Sequence, residues 1–237
     1  MDYRSIEQEM YKVMSAICDS GIPIDFKGAM VLHAFLYEKG YSDEGIRPTK
    51  DIDANWISDV PPTMEQITFS LQKVLDDNDI DLIVKSFRSY GEGRSAGFDF
   101  IDKDTNAVVF TMDMDVNRPE AGSRLYEVGR FRFYGVVVEQ MLADKISVVS
   151  SDKVFRRIKD VIDLYYLSKC CKVDIKEIES VLKKTNRKLS DFNAFLNRKE
   201  ELEHSYNKFR FDGDVEKPNF EIVYDAVNKY IADFIKL

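Results

Sequence analysis

Histidine and cysteine are scarce, two and three respectively in 237 residues. Cys18, Cys170 and Cys171 follow no metal-ligand spacing, and two of them are adjacent. A zinc site built on thiolates is therefore excluded, and the chain reads as a reduced, cytoplasmic protein. His33 falls in a helix where packing is its expected role, and His204 in a charged, solvated one, so neither is assigned chemistry. The opening "MDYRSIEQEM" lacks the basic start and apolar run of a secretion signal, and no apolar stretch approaches membrane-spanning length. No membrane partner is expected. Internal repeats and low-complexity linkers are absent as well. Positive charge is in short supply, with a formal net charge of −8. Any nucleic-acid contact must then come from a local basic patch, because the field of the whole molecule repels phosphate.

What is present is an ordinary globular composition, 44% hydrophobic and 32% charged, on a chain long enough for a sizeable core. Residues 3 to 19 carry Ile6, Met10, Val13, Met14 and Ile17 on one helical stripe. A short strand in "IPIDFKGAM" leads to Lys27–Gly28, and a helix follows that stops at Gly40. The loop "YSDEGIRPTK" leads into the strand "DIDANWI", and Pro61-Pro62 precede the helix "TMEQITFSLQKVL". Strands are expected in "DLIVKSFRSY", "SAGFDFID", "NAVVFTMDMDV" and "RFRFYGVVV", with "DKDTN" turning a hairpin between the second and third. From Glu139 the period becomes helical, in "VEQMLADKISVV", "KVFRRIKDVIDLYYLSKC", "DIKEIESVLKKTN", "SDFNAFLNRKEELEHSYNKF" and "NFEIVYDAVNKYIADFIKL". Strands first and helices afterwards predict an α+β fold. Its parts are a mixed α/β core over 1–137 and a helical subdomain over 138–237 that contributes to an active-site cleft.

Four constellations carry possible chemistry. Asp51 and Asp53 stand at i and i+2, so on a strand both carboxylates point to one face, about 7 Å apart. A hard divalent cation such as Mg²⁺ is the usual occupant of such a pair, and a solvated, capping Asp51 is the plain alternative. Asp113 and Asp115 repeat the spacing within an apolar strand run whose other face carries Phe110, Met112 and Met114. A carboxylate there, on a strand next to Asp51 and Asp53, would lie about 5 Å across the sheet, unless it merely decorates an edge. "DFKGAMVL" is a strand–glycine–helix turn of the kind that admits a phosphate to free backbone N–H groups, or simply a turn. Finally, Lys145 sits among apolar helix residues, where it either snorkels out or turns its charge into a cleft, and Arg156, Lys159, Asp160 and Asp163 space out as one polar helix face, for which a salt-bridged solvent surface is the plain alternative. Trp56, just past the acidic pair, reads as core filling rather than a base-stacking ring.

The order of these pieces matters more than any one of them. "KGAMVL" (27–32), "RPTKDID" (47–53), "EQMLADKI" (139–146) and "RRIKDVIDLYYL" (156–167) resemble the AbiEii/AbiGii toxin-like nucleotidyltransferases, within the polymerase-β-type nucleotidyltransferase superfamily. The resemblance implies a nucleotidyltransferase-like mixed sheet flanked by helices and followed by a C-terminal helical subdomain. It implies Mg²⁺ on Asp51, Asp53 and a third carboxylate, Asp113 or Asp115, with Asp113 preferred because it lies deeper in the apolar run. Catalytic roles fall on Asp51, Asp53, Asp113, Lys145 and Asp160, and nucleotide contacts on Lys27, Gly28, Arg47, Thr49 and Lys145, with Lys50 nearby. The superfamily usually has Gly-Ser or Gly-Gly at the turn; Gly28-Ala29 here removes one hydroxyl contact and keeps the backbone donors. The implied activity moves a nucleoside monophosphate from a nucleoside triphosphate to an acceptor hydroxyl, on RNA and with tRNA as one candidate, in a toxin with a separately encoded antitoxin. The basic run "LKKTNRK" and Arg156/Arg157 are candidate phosphate contacts, with a solvated helix end the plainer reading of "KKTNRK". A metal-dependent ribonuclease on the same carboxylates, and a non-catalytic nucleotide-binding protein, are the alternatives.

Overall fold

The computed structural model describes residues 3–41, 46–172, 174–211 and 215–235. Residues 42–45 of the loop "YSDEGIRPTK" and the last two of the C-terminal helical run lie outside them. The chain divides into two compact units. One comprises Met1–Glu38, Thr49–Arg118 and Ser123–Val136; the other comprises Lys39–Pro48, Pro119–Gly122 and Val137–Leu237.

The first unit runs α1 (Tyr3–Asp19), β1 (Ile24–Lys27), α2 (Gly28–Glu38), β2 (Asp51–Trp56), α3 (Met64–Asp77), β3 (Leu82–Arg88), β4 (Ala96–Asp102), β5 (Val108–Val116), β6 (Ser123–Val128) and β7 (Phe131–Val136). Seven strands form one mixed sheet in the order β3-β4-β5-β2-β1-β7-β6. β2 runs parallel to β5 and antiparallel to β1, and β1 runs parallel to β7. Because strand side chains alternate, register decides which residues share a face. Phe26, Ile52, Ala54, Trp56, Phe98, Phe110, Met112 and Met114 are buried on one face, and Trp56 is core as expected. Helix α1 closes over that face: Tyr11 stacks on Phe133, which also meets Phe26 edge-on, and the Tyr11 hydroxyl donates to the Met30 carbonyl of α2. Helix α3 begins with a reciprocal cap, in which Thr63 and Gln66 each accept from the other's backbone N–H. The "DKDTN" hairpin joins β4 to β5 as expected.

The strand β6 was not legible in the sequence. Its segment "SRLYEV" buries only Tyr126, because it is the edge strand of the sheet, so it lacks the apolar alternation of its neighbours. Gly129, at φ +58°, turns it into β7.

The second unit is helical: α4 (Val138–Val149), α5 (Ile158–Cys170), α6 (Ile175–Lys184), α7 (Asn193–Asn197), α8 (Lys199–Lys208) and α9 (Phe220–Ile231). Helix α5 packs on α4 and α9, and α6 packs on α4. Two of the expected helices are broken. Residues 152–156 form a separate 3₁₀ turn, and Arg157 leaves helical geometry at φ −122°, ψ 42° before α5 starts. Arg198 interrupts the later run in the same way, at φ −122°, ψ 44°.

Close backbone approach fixes where α2 lies. A Cβ on Gly135 of β7 would stand 2.9 Å from a Val31 methyl of α2 and 3.3 Å from the Phe26 carbonyl oxygen. Val31 is β-branched and cannot swing away. Gly135→Ala is therefore expected to lower stability by about 1–3 kcal/mol, read as a reduced urea midpoint at constant m-value. An unchanged midpoint would show that α2 is not pinned there.

Candidate active site

Two paired strands, β2 and β5, bring the acidic residues together on the face opposite the apolar one. Register aligns Lys27 of β1 with Asp53 of β2, Asp53 with Asp113 of β5, and Asp113 with Gly97 of β4. One position along, Asp51 stands beside Thr111, whose hydroxyl donates to the Asp51 carboxylate at 2.7 Å. On the other side Asn55 stands beside Asp115. The sequence expectation of a third carboxylate next to Asp53 thus has two strand neighbours to choose from, and only Asp113 lies directly opposite Asp53.

Asp113 and Asp115 each have a cationic partner that limits repulsion. Arg88 of β3 donates to Asp113, and its Nε donates to the Ser95 carbonyl at 2.8 Å. Asp115 accepts from the Lys27 ammonium at 2.5 Å and the Ser95 hydroxyl at 2.6 Å, with Arg118 at 3.4 Å. Burial works against the Asp115 charge, but Lys27, Ser95 and Arg118 outweigh it and hold its pKa below the ordinary value. The buried Asn55 side chain bonds the backbone of Arg118 in both directions at 3.0 Å, fixing the end of β5.

Gly28 is demanded by this geometry. Its φ is +70°, and a Cβ there would lie 2.1 Å from Oδ2 of Asp53. The Asp53 carboxylate thus rests against the backbone where β1 passes into α2, at the amide end of that helix. Thr49 is buried just before β2, where its hydroxyl accepts from the Asp51 N–H at 3.2 Å. Lys50 lies over the Tyr3 ring, 4.5 Å from its centroid.

The second unit holds a different kind of cluster. Lys145 of α4 is buried, with its ammonium 2.6 Å from Asp163 and 3.4 Å from Asp160, both on α5. Arg47, buried as well, reaches Asp163 through Nε at 3.2 Å and Nη2 at 3.4 Å. Arg157 holds the other oxygen of Asp160 at 2.7 Å. The plain alternative of a solvent face for Arg156, Lys159, Asp160 and Asp163 fails for the two acids: Arg156 is exposed, while Asp160 and Asp163 are 3% and 2% exposed. Two buried cations are the physical reason, since they neutralise carboxylates that could not otherwise leave water. Burial opposes the charge on Asp163, but Arg47 and Lys145 hold its carboxyl well below the usual range. Burial likewise pushes Lys145 toward neutrality, and Asp163 and Asp160 reverse this so that its pKa rises.

The donor set on β2 and β5 consists of carboxylate oxygens only, which suits a hard cation such as Mg²⁺. Among the described residues no three acidic, histidine or cysteine side chains form a ready-made metal cage. A cation shared between one or two carboxylates and substrate phosphates needs none. The sequence profile of the "Nucleotidyl transferase AbiEii toxin, Type IV TA system" family matches residues 21–226. The chain belongs to the AbiEii nucleotidyltransferase toxin family. Its fold is similar to that of MenT4, a nucleotidyltransferase toxin from Mycobacterium tuberculosis H37Rv, with a TM-score of 0.56 at 14% identity over 99% of this chain and 84% of that one. No match was found among curated proteins.

This AbiEii-family chain is therefore a nucleotidyltransferase of a type IV toxin–antitoxin system. Among its described residues no helix is long and apolar enough to cross a membrane. His33 is buried against Glu7 at 3.0 Å, and His204 is exposed, as their sequence contexts suggested. Sequence reasoning missed Asp163 as the main anchor of Lys145 and Arg47. The signal was the second aspartate of "KDVID", three residues beyond Asp160 and hence on the same side of the helix. It also missed Arg88, whose reach to Asp113 depends on strand pairing.

Asp163→Asn leaves Arg47 and Lys145 short of a buried counter-charge and is expected to cost about 3–5 kcal/mol at pH 7. The Asp163 pKa is lowered by folding, so its contribution is present above about pH 4 and is lost as pH falls toward the folded value. The gap between the urea midpoints of wild type and variant should then hold above about pH 4 and narrow progressively as the pH falls below it. A gap that stays constant would contradict the assignment.

Proposed function

We propose that the chain transfers a nucleoside monophosphate from a nucleoside triphosphate to a hydroxyl of RNA, with tRNA the first acceptor to test. On this reading it is a Mg²⁺-dependent cytoplasmic toxin restrained by a separately encoded antitoxin. The observation that carries the proposal is the row of Lys27, Asp53 and Asp113 across three paired strands, with Asp51 one strand position away on the same face.

Asp51 and Asp53, with Asp113 beside them, would hold the cation. When bound, the cation neutralises triphosphate charge and polarises the reacting phosphoryl group. Gly28 lets the phosphates approach the α2 amide end, since no side chain intervenes. The acceptor oxygen forms a bond to the α-phosphorus as the bond to pyrophosphate breaks, and Asp113 accepts the acceptor's proton. Lys27, beside Asp53, contacts the nucleotide, and Thr49 acts through the backbone of Asp51 that it holds. Lys145, kept protonated by Asp160 and Asp163, takes its catalytic role from the family resemblance, as a point charge of the kind that offsets phosphate charge. Arg47 then acts chiefly by fixing Asp163, and through it Lys145.

The test is incubation of total RNA with each α-labelled nucleoside triphosphate and Mg²⁺. Label is expected in RNA, abolished by chelator, and reduced roughly 100-fold or more by Asp51→Asn or Asp53→Asn. RNA cleavage that needs no triphosphate would replace this reading with a nuclease. Wild-type transfer by both variants would refute the site.

A further inference from the structure

The pairing of β3 with β4 shifts register between Ser86 and Arg88, leaving Phe87 as the extra residue of a β-bulge. Bulges re-aim side chains that regular alternation would send elsewhere. Here Arg88 pairs with Gly97, the residue that stands beside Asp113, and its guanidinium passes over that glycine to the Asp113 carboxylate. The Phe87 ring lies on the same glycine: a Cβ there would stand 2.5 Å from Cζ and 2.6 Å from Cε2 of the ring. The ring is nonetheless 52% exposed. Arg88 flanks it at 5.4 Å from the centroid. A large aromatic side chain is thus held over the acidic face, seated on a bare backbone and braced by an arginine. Gly97 is two strands from Asp53, about 10 Å at the usual strand spacing.

Half of the Phe87 ring stays in solvent, so its contact with Gly97 is a seat on the surface of the sheet and not core filling. An exposed ring beside carboxylates that suit a cation and phosphates has the chemistry of a stacking platform, since every base offers a π-face. We propose that Phe87, braced by Arg88 and seated on Gly97, stacks on a nucleobase. The base belongs to a nucleotide whose phosphates lie over the carboxylates of β2 and β5, so the inference rests on the transferase reading above. It goes beyond that reading in naming where the base lies. A phenyl ring has no hydrogen-bonding group, so the platform contributes affinity with little discrimination among bases. The nucleobase has two sources, the incoming triphosphate or a nucleotide of the acceptor strand.

Phe87→Trp tests this directly, because the native tryptophan, Trp56, is buried on the other face of the sheet and wild type supplies the background. Its fluorescence is titrated, with Mg²⁺ present, by each nucleoside triphosphate, by a short single-stranded RNA and by inorganic tripolyphosphate. Saturable quenching by triphosphates, or by RNA alone, supports the proposal and identifies the source, provided tripolyphosphate leaves the emission unchanged. Phe87→Ala should weaken binding of the quenching ligand roughly 5- to 150-fold, the equivalent of about 1–3 kcal/mol per stacked base, with Phe87→Tyr restoring most of it. Absence of quenching by any nucleotide, or equal quenching by tripolyphosphate, overturns the proposal. Label transfer by wild type is followed in parallel. Transfer without quenching sinks the platform and spares the transferase, whereas quenching without transfer does the reverse.

Discussion

Like charges on neighbouring strands of one sheet face repel, and this chain sets Asp53 directly beside Asp113. Much of the first unit answers to that constraint. Arg88 comes from two strands away to engage Asp113, Lys27 engages Asp115, and the Thr111 hydroxyl engages Asp51. Two glycines leave room for the arrangement, Gly28 under the Asp53 carboxylate and Gly97 under Phe87. The opposite face buries Phe26, Ile52, Ala54, Phe98, Met112 and Met114, and this apolar packing holds the register that makes the row. A one-residue slip of β2 against β5 would send the acids into the core.

The second unit solves a charge problem of another kind. Its Asp160 and Asp163 lie in the interior, where each unpaired charge costs several kcal/mol and solvent screening is weak. Lys145 and Arg47 converge on Asp163, and Lys145 and Arg157 on Asp160, so the network is over-determined. Pairs at the exposed rim of the first unit, such as Arg88 with Asp113, contribute far less to stability, typically about 0–1 kcal/mol. The two clusters therefore answer to different experiments. Loss of a buried partner registers in folding, while loss of an acid on the sheet should register in nucleotide handling.

The α+β class, most elements and the acidic residues were legible because they rest on local pattern. The i, i+2 spacing of Asp51 and Asp53 and the apolar run around Asp113 state which face each side chain takes. The pairing of Asp53 with Asp113 was legible only as a distance that adjacent strands would give. Burial of Asp163 was not legible, because its neutralising partners come from residues 47 and 145, far away in sequence. Arg157, by leaving helical geometry, broke a run whose spacing looked continuous. The bulge at Phe87 leaves no mark in composition or period, since it arises from the pairing of β3 with β4.

The most direct measurement is a crystal structure with Mn²⁺ and a non-hydrolysable nucleoside triphosphate, with the cation located by anomalous scattering. The account predicts a peak at about 2.1 Å from carboxylate oxygens of Asp51 and Asp53, with triphosphate oxygens completing its shell. A nucleotide bound with its metal elsewhere, and these two carboxylates left in water, would contradict it.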